Sequence, residues 1–370
     1  MTDYSYRISR LQLELCSDGI DGALLAGTDQ MLYLTGWKEG GAERFVGLFV
    51  PAEGEPIFLV PAMNAEQARG TPAAIQNVVG WDDADGWISP ARGILCSWEA
   101  QRRILVDDEL RSVHLIALQS LLPQTQFVPA GEIMCRLRER KTPDELRAMT
   151  CAANLIDEVF EEVVTQLVEG MTELELADLV LGAIRARGST PSFTPLICFG
   201  PNAALPHHHT GVKALARGDI VIIDIGCTAE SYASDITRTV SFGEPSDPDA
   251  AGIYDLVLTA HLAALSAVRP GATGEAVDAA ARSVISEAGY GDQFLHRTGH
   301  GIGLSVHEPP NIVRGNTAPL TEGMCFSVEP GVYLTGRFGV RIENIVTVTA
   351  TGGRSLNAEP GQTLRIVSAV

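Results

Sequence analysis

The 370-residue sequence predicts a two-domain α/β protein, on three observations. The length exceeds what one core of ordinary size accounts for. All four tryptophans (Trp37, Trp81, Trp87 and Trp98) lie early in the chain, so composition shifts part-way along it. Both parts mix short β-type apolar runs with segments of helical period, which places helices and strands in each. The reading puts an N-terminal α/β domain at residues 1–128 and a second domain of α+β character at 129–370.

In the first domain Ile8, Leu11 and Leu15 recur at helical spacing, and Asp18-Gly19 should stop that helix. Apolar runs at 23–26, 45–50, 57–60, 75–79 and 104–106 read as strands set apart by Gly, Pro and Asp. A helix is expected over about 109–121. The tryptophans read as core or subunit packing; a sharper alternative has Trp37, Trp81 or Trp87 capping a neighbouring active site. No ligand cluster or phosphate loop appears in this segment.

The boundary is expected near 124–129. Beyond it Thr142-Pro-Asp-Glu145 is a capping box with Pro at the first helical position, predicting a helix over 143–166. Thr172-Glu-Leu-Glu175 repeats the signal, and Gly188 is placed to end that second helix. A strand is expected at 193–199. Further helices are expected at 248–268, capped by Asp247, and at 275–288. His114 and His261 read as packing or surface histidines.

The chemistry-bearing residues gather in this second domain. Two β-type runs, 220–225 and 231–240, flank a short polar break and read as a hairpin. A register that opposes Asp224 and Asp235 would bring their carboxylates onto one face. Two buried anions so placed lose hydration and repel, at a cost of several kcal/mol each unless a cation compensates. On this pair alone, one Asp at a strand end and one in a turn is an equally good reading. Other residues extend the set. His300 lies in a glycine-rich stretch, His296-Arg-Thr-Gly-His-Gly-Ile-Gly303, where backbone and ring can approach a ligand closely. Glu329 follows the strand-like run 324–328. Glu343 lies in 340–348, where alternation puts Arg341, Glu343 and Ile345 on one face. One imidazole and four carboxylates suit a hard or borderline divalent cation.

These residues, with Asp235-Ile-Thr-Arg238, Gly299-His-Gly-Ile-Gly303, His307-Glu-Pro309, Glu329-Pro-Gly331 and Arg341-Ile-Glu-Asn344, form a pattern. It resembles the pita-bread metallopeptidases, in their creatinase, prolidase and aminopeptidase P branch. The spacings agree: 11 (224 to 235), 29 (300 to 329) and 14 (329 to 343). The resemblance covers residues 130–365, and more loosely the first 128. It implies a creatinase-like N-terminal domain, a pita-bread catalytic domain and two divalent metal ions, with Mn²⁺ favoured and Co²⁺ or Zn²⁺ as alternatives. The implied ligands are Asp224, Asp235, His300, Glu329 and Glu343. Asp235 and Glu343 would bridge, and Glu329 would double as general base. His296 and His307 resemble the substrate-binding and proton-shuttling pair, and His207, after Pro206, the substrate-side histidine. Arg341 would orient a ligand carboxylate or reach substrate; a plain buried salt bridge is equally open.

The implied reaction is hydrolysis of the Xaa–Pro bond of a small peptide with proline second, by a prolidase-type dipeptidase. An aminopeptidase P acting on longer peptides is the alternative. A non-catalytic pita-bread module is disfavoured because every ligand type is present. The resemblance also implies a homodimer or larger homo-oligomer. A formal charge of −19 argues against nucleic acid or an anionic membrane as partner. Seven scattered cysteines without a CxxC fit buried thiols in a reducing cytoplasm, and no run is read as a membrane span. Of competing motifs, His207-His208-His209 cannot aim three adjacent side chains at one ion. Gly299–Gly303 lacks the Lys-Ser/Thr of a phosphate loop, and His307-Glu308 is not HExxH because residue 311 is Asn.

Overall fold

The computed structural model describes residues 3–39, 43–96 and 103–368, and its chain separates into two compact units, Met1–Arg138 and Glu139–Val370. In the first, α1 (Tyr4–Ser17) begins where Asp3 accepts the Tyr6 N–H at 2.9 Å and ends before Gly19 at φ 62°. The expected apolar runs become β1 (Gly22–Leu25), β2 (Gly47–Pro51), β3 (Ile57–Pro61), β4 (Asn77–Trp81) and β5 (Arg103–Val106). With β6 (Gln126–Pro129) they form one mixed sheet of order β4-β3-β2-β1-β5-β6. Helices α2 (Thr28–Thr35), α3 (Ala65–Arg69) and α4 (Ile88–Cys96) carry no strong sequence signal and were not expected. They are followed by α5 (Ser112–Leu121) and α6 (Gly131–Arg138).

The division falls after Arg138, not at 128. The stretch expected as a linker is β6, which pairs in parallel with β5, and α6 is tied to α1 by Arg136, 2.8 Å from both Glu14 and Asp18. Trp81 donates to the Phe45 carbonyl at 3.0 Å, Trp87 stacks on the Phe45 ring at 4.0 Å, and Trp37 meets Phe58 edge-on. All three thus pack within their own unit; Trp98 lies outside the described residues. Of the seven cysteines only Cys198, Cys227 and Cys325 are fully buried, so the expectation of buried thiols holds for those three.

The second unit opens with α7 (Pro143–Val164) and α8 (Glu173–Ala186), each started by its predicted capping box. Both pack on β7 (Leu196–Phe199), β8 (Ile220–Ile225) and β11 (Ile236–Phe242), through a core that includes Ile156, Val163, Val180, Ile197, Val221 and Val240. Between β8 and β11 the chain makes a small side-hairpin, β9 (Thr228–Ala229) with β10 (Tyr232–Ala233). Then come α9 (Ala250–Ala267) and α10 (Gly274–Glu287). By length and composition α9 could cross a membrane, contrary to expectation, yet Ile253, Val257, Ala260 and Ala264 on it are buried in the core. Asp247 does not cap α9. Its carboxylate instead holds Arg337, at 2.8 and 2.6 Å. The remaining strands are β12 (Gly299–Gly301), β13 (Glu308–Ile312), β14 (Cys325–Val328), β15 (Gly331–Leu334), β16 (Phe338–Arg341), β17 (Asn344–Thr349), β18 (Gly352–Ser355) and β19 (Arg365–Val367). One sheet has the order β19-β11-β8-β7, a second β13-β12-β14-β17-β18, and β15 pairs with β16 alone.

Two expectations about local geometry are corrected here. The β8–β11 ladder sets Asp224 opposite Thr237, not Asp235. Asp235 falls just before β11, because the side-hairpin takes up the chain between the two strands. The run 340–348 is likewise not one strand. It breaks at Ile342–Glu343, and there the Glu343 N–H donates to the Thr237 carbonyl at 3.1 Å, stitching this corner onto β11.

Candidate active site

Three of the five expected ligands stand at interruptions of strands: Asp235 before β11, Glu329 between β14 and β15, Glu343 between β16 and β17. At such breaks the side chains leave strict alternation and converge. Asp224 and His300 lie within strands, β8 and β12. All five line one cavity of ≈ 580 Å³, together with His207, His296, Arg297, His307 and Arg341. Apolar walls come from Phe193, Leu196, Pro206 and Val306.

At the base of the cavity, ligand atoms of Asp235, His300 and Glu343 lie within 4.8 Å of one another, all buried. Glu329 joins through His300, whose Nε2 is 3.3 Å from Glu329 Oε1 and 3.8 Å from Asp235 Oδ2. The His300 Nδ1–H donates to the Gly301 carbonyl at 3.1 Å. Burial pushes the ring down to about 4, so it is neutral and Nε2 carries a lone pair. A lone pair facing two carboxylate oxygens has no proton to bind them together. Asp224 Oδ1 and Asp235 Oδ1 are buried with no hydrogen-bond partner. Burial raises the carboxyls of Asp235 and Glu343 well above the usual range. Glu343, Asp224 and Glu329 push Asp235 further, and Glu329 and Asp224 do the same to Glu343. Orphaned oxygens, mutual repulsion and a neutral imidazole aimed at the same space are what a divalent-cation site looks like without its charge compensation. The residues fit the ion.

A hydrogen-bond chain supports the ligands. Arg341 donates through Nη2 to Asp224 Oδ2 at 2.5 Å, through Nη1 to the Tyr333 hydroxyl at 2.9 Å, and through Nε to Thr237 Oγ1 at 3.1 Å. Thr237 Oγ1 donates to Glu343 Oε2 at 2.7 Å, so Arg341 reaches two candidate ligand carboxylates, one directly and one by relay. Burial lifts the Tyr333 phenol to about 12, which keeps its proton for His296 Nε2 at 2.8 Å. The His296 Nδ1–H is held by the Arg297 carbonyl at 2.7 Å, so both nitrogens of that ring are engaged. Ser327 Oγ donates to Glu329 Oε1 at 2.9 Å and accepts the His300 N–H at 3.0 Å.

Of the three adjacent histidines, only His207 lines the cavity. His208 meets the buried Glu173 at 2.8 Å, and that carboxylate also accepts the N–H groups of Phe199 and Gly211 and the Asn202 amide. The His307 ring stands edge-on to His300 at 4.2 Å. Thr237, Ser327, Tyr333 and Arg297 were not singled out from sequence. Thr237 and Ser327 sit two residues from Asp235 and Glu329, so a same-face reading could have found them. Tyr333 and Arg297 carry no such signal.

Residues 147–350 match Metallopeptidase family M24 and residues 7–140 match the Creatinase/Prolidase N-terminal domain. The crystal structure of a recombinant prolidase from Thermococcus sibiricus superposes with a TM-score of 0.93 at 34% identity, covering 100% of both chains. Dipeptidase PepE from Mycobacterium ulcerans gives 0.92 at 38% identity, over 99% of this chain and 98% of that one. The Xaa-Pro dipeptidase of Lactobacillus delbrueckii subsp. lactis is 35% identical across 93% of this chain and 95% of its own length.

Proposed function

Because this chain belongs to metallopeptidase family M24, with a creatinase/prolidase N-terminal domain, we propose that it hydrolyses the Xaa–Pro bond of dipeptides. The observation that carries the reading is the ligand cluster at the base of a cavity of ≈ 580 Å³, with two buried carboxylate oxygens lacking any partner. Dipeptides are preferred as substrates because the similar proteins of nearly equal length are named prolidase, dipeptidase and Xaa-Pro dipeptidase.

Asp224, Asp235, His300, Glu329 and Glu343 would hold two divalent ions, and four carboxylates with one neutral imidazole favour Mn²⁺. Bound there, such ions supply Lewis acidity and make water a nucleophile near neutral pH. The residues of the chain do the rest. Glu329, with Oε1 held by Ser327, takes the proton of the attacking water on its other oxygen and returns it to the leaving proline nitrogen. Arg341 fixes Asp224 and, through Thr237, Glu343. Tyr333 pins His296 against the cavity wall, while His207 and His307 face the substrate. A homodimer in the cytoplasm belongs to the same proposal.

The test is metal analysis of the purified protein together with proline release from Ala-Pro, Met-Pro, their amides and Xaa-Pro-Xaa tripeptides. Dipeptides should give the highest kcat/KM with Mn²⁺. Faster cleavage of the tripeptides would make it an aminopeptidase of the same family, and no proline release from any of them would reject the activity.

A further inference from the structure

Of the groups that line the cavity, His207 is exposed and lies outside any helix or strand. It occupies the third position of a β-turn, closed where the His208 N–H donates to the Leu205 carbonyl at 3.1 Å. Pro206 stands at the second position, where its fixed φ suits the turn. A turn shapes the chain locally, yet the segment can still swing unless both of its sides are tied down. Glu173 ties both. Its side chain is fully buried at the first position of α8, where the helix dipole favours an anion. Ahead of the turn, Oε1 accepts the Phe199 N–H at 2.9 Å and the Asn202 amide at 2.8 Å. Beyond the turn Oε2 accepts the Gly211 N–H at 2.9 Å, and on the turn itself it accepts the His208 Nε2–H at 2.8 Å. Four donors take up the lone-pair sites of one carboxylate. Thr210 adds a second tie, donating to the Pro195 carbonyl at 3.0 Å and accepting the Ile197 N–H at 2.9 Å.

We infer that Glu173 and His208 are positioning residues for His207: together they clamp the turn, so that the His207 ring meets substrate already oriented. This rests on the dipeptidase reading above, in which His207 faces the substrate, and deepens it. The run of three histidines then divides its labour, because adjacent side chains point apart: His207 goes to the cavity and His208 to the anchor behind it.

The experiment measures kcat and KM for Ala-Pro with the full-length, metal-loaded enzyme, its metal content, and hydrogen exchange of residues 199–211 by mass spectrometry. His208→Ala should lower kcat/KM about five- to tenfold at unchanged metal content, and should speed exchange within 199–211 only. His208→Gln, whose amide N–H can stand in for Nε2–H, should recover most of both. In a His207→Ala background, His208→Ala should lower kcat/KM no further, since the group it positions is gone. Glu173→Gln should speed exchange in the same segment. His208 is only half-buried, so its variants decide the matter where Glu173→Gln folds poorly. An equal loss with and without His207, no loss in His208→Ala, or no recovery in His208→Gln would each overturn the assignment. A wild-type protein that releases no proline sinks the dipeptidase reading instead. The clamp is then judged on exchange alone, upheld by local acceleration in His208→Ala and overturned by its absence.

Discussion

At the scale of single residues, Glu329 has two tasks, since its carboxylate faces the ligand cluster and is also the group placed to carry a proton. Glu329→Gln keeps shape and one oxygen donor but removes the base. We expect kcat to fall by about 10²–10⁴-fold, with a much smaller change in KM and partial loss of metal. Undiminished kcat would remove Glu329 from the proton path. Tyr333 does its work at one remove: its hydroxyl accepts from Arg341 and donates to His296, at 2.9 and 2.8 Å. Tyr333→Phe breaks this relay without altering a ligand. It should retain metal binding while turnover drops about tenfold, the scale of one hydrogen bond. Loss of metal in that variant would show that the chain supports the ligands instead.

At the scale of elements, α10 holds the segment that delivers His300. Asp278 accepts from the Thr298 N–H at 3.2 Å and from its hydroxyl at 2.7 Å, and it pairs with Arg282, which donates to the carbonyls of Phe294 and His296. The Thr298 carbonyl in turn accepts the Glu329 N–H at 2.8 Å. Asp278→Ala should therefore cost about 2–3 kcal/mol of stability, by leaving buried donors unpaired. It should also weaken metal binding, which denaturant melts and metal titration would read separately; full metal affinity in a destabilised protein would detach α10 from the site. The same elements show what sequence could convey. Capping boxes at Thr142 and Thr172 and the stop at Gly19 were legible because each is a local, self-contained bonding pattern. The candidate ligands were legible as a set because acids inside apolar runs stand in motifs that resemble a known family, and the structure brings them to one cavity. The register of β8 and β11 was not, because the side-hairpin between them absorbs residues that a simple hairpin count assigns to the ladder. The break at Glu343 was hidden for a related reason: Val340–Val348 alternates well enough to pass for one strand, and only its pairing with Thr237 across the sheet interrupts it. α6 escaped assignment to the first unit because its ties are ion pairs distant in sequence, Arg136 with Glu14 and Asp18.

At the scale of the whole molecule, the metal site couples to folding. Asp235 and Glu343 have folded-state pKa values raised above their unfolded ones, first by burial and then by neighbouring acids. A carboxyl shifted this way contributes stability that is full below its unfolded pKa and lost as pH rises through the folded value. Chelator-treated protein should thus lose Tm as pH climbs above the ordinary carboxylate range, and Mn²⁺ should restore it most at the upper end of the series. Asp235→Asn should raise the Tm of the chelated protein while lowering its metal affinity. Thermal melts with and without metal across that range check both, and a chelated Tm that is flat with pH would contradict the raised pKa values. The orphaned oxygens of Asp224 and Asp235 carry a consequence for descent as well. A lineage freed from the need to cleave peptides would become more stable by neutralising Asp235 or Glu343, whose carboxyls burial and neighbouring acids raise, whereas Asp224 is the buried partner of Arg341. Selection for folding alone would then erode the site one acid at a time, leaving the surrounding sheets intact as a scaffold for other uses. This chain still carries all five candidate ligands, lining one cavity.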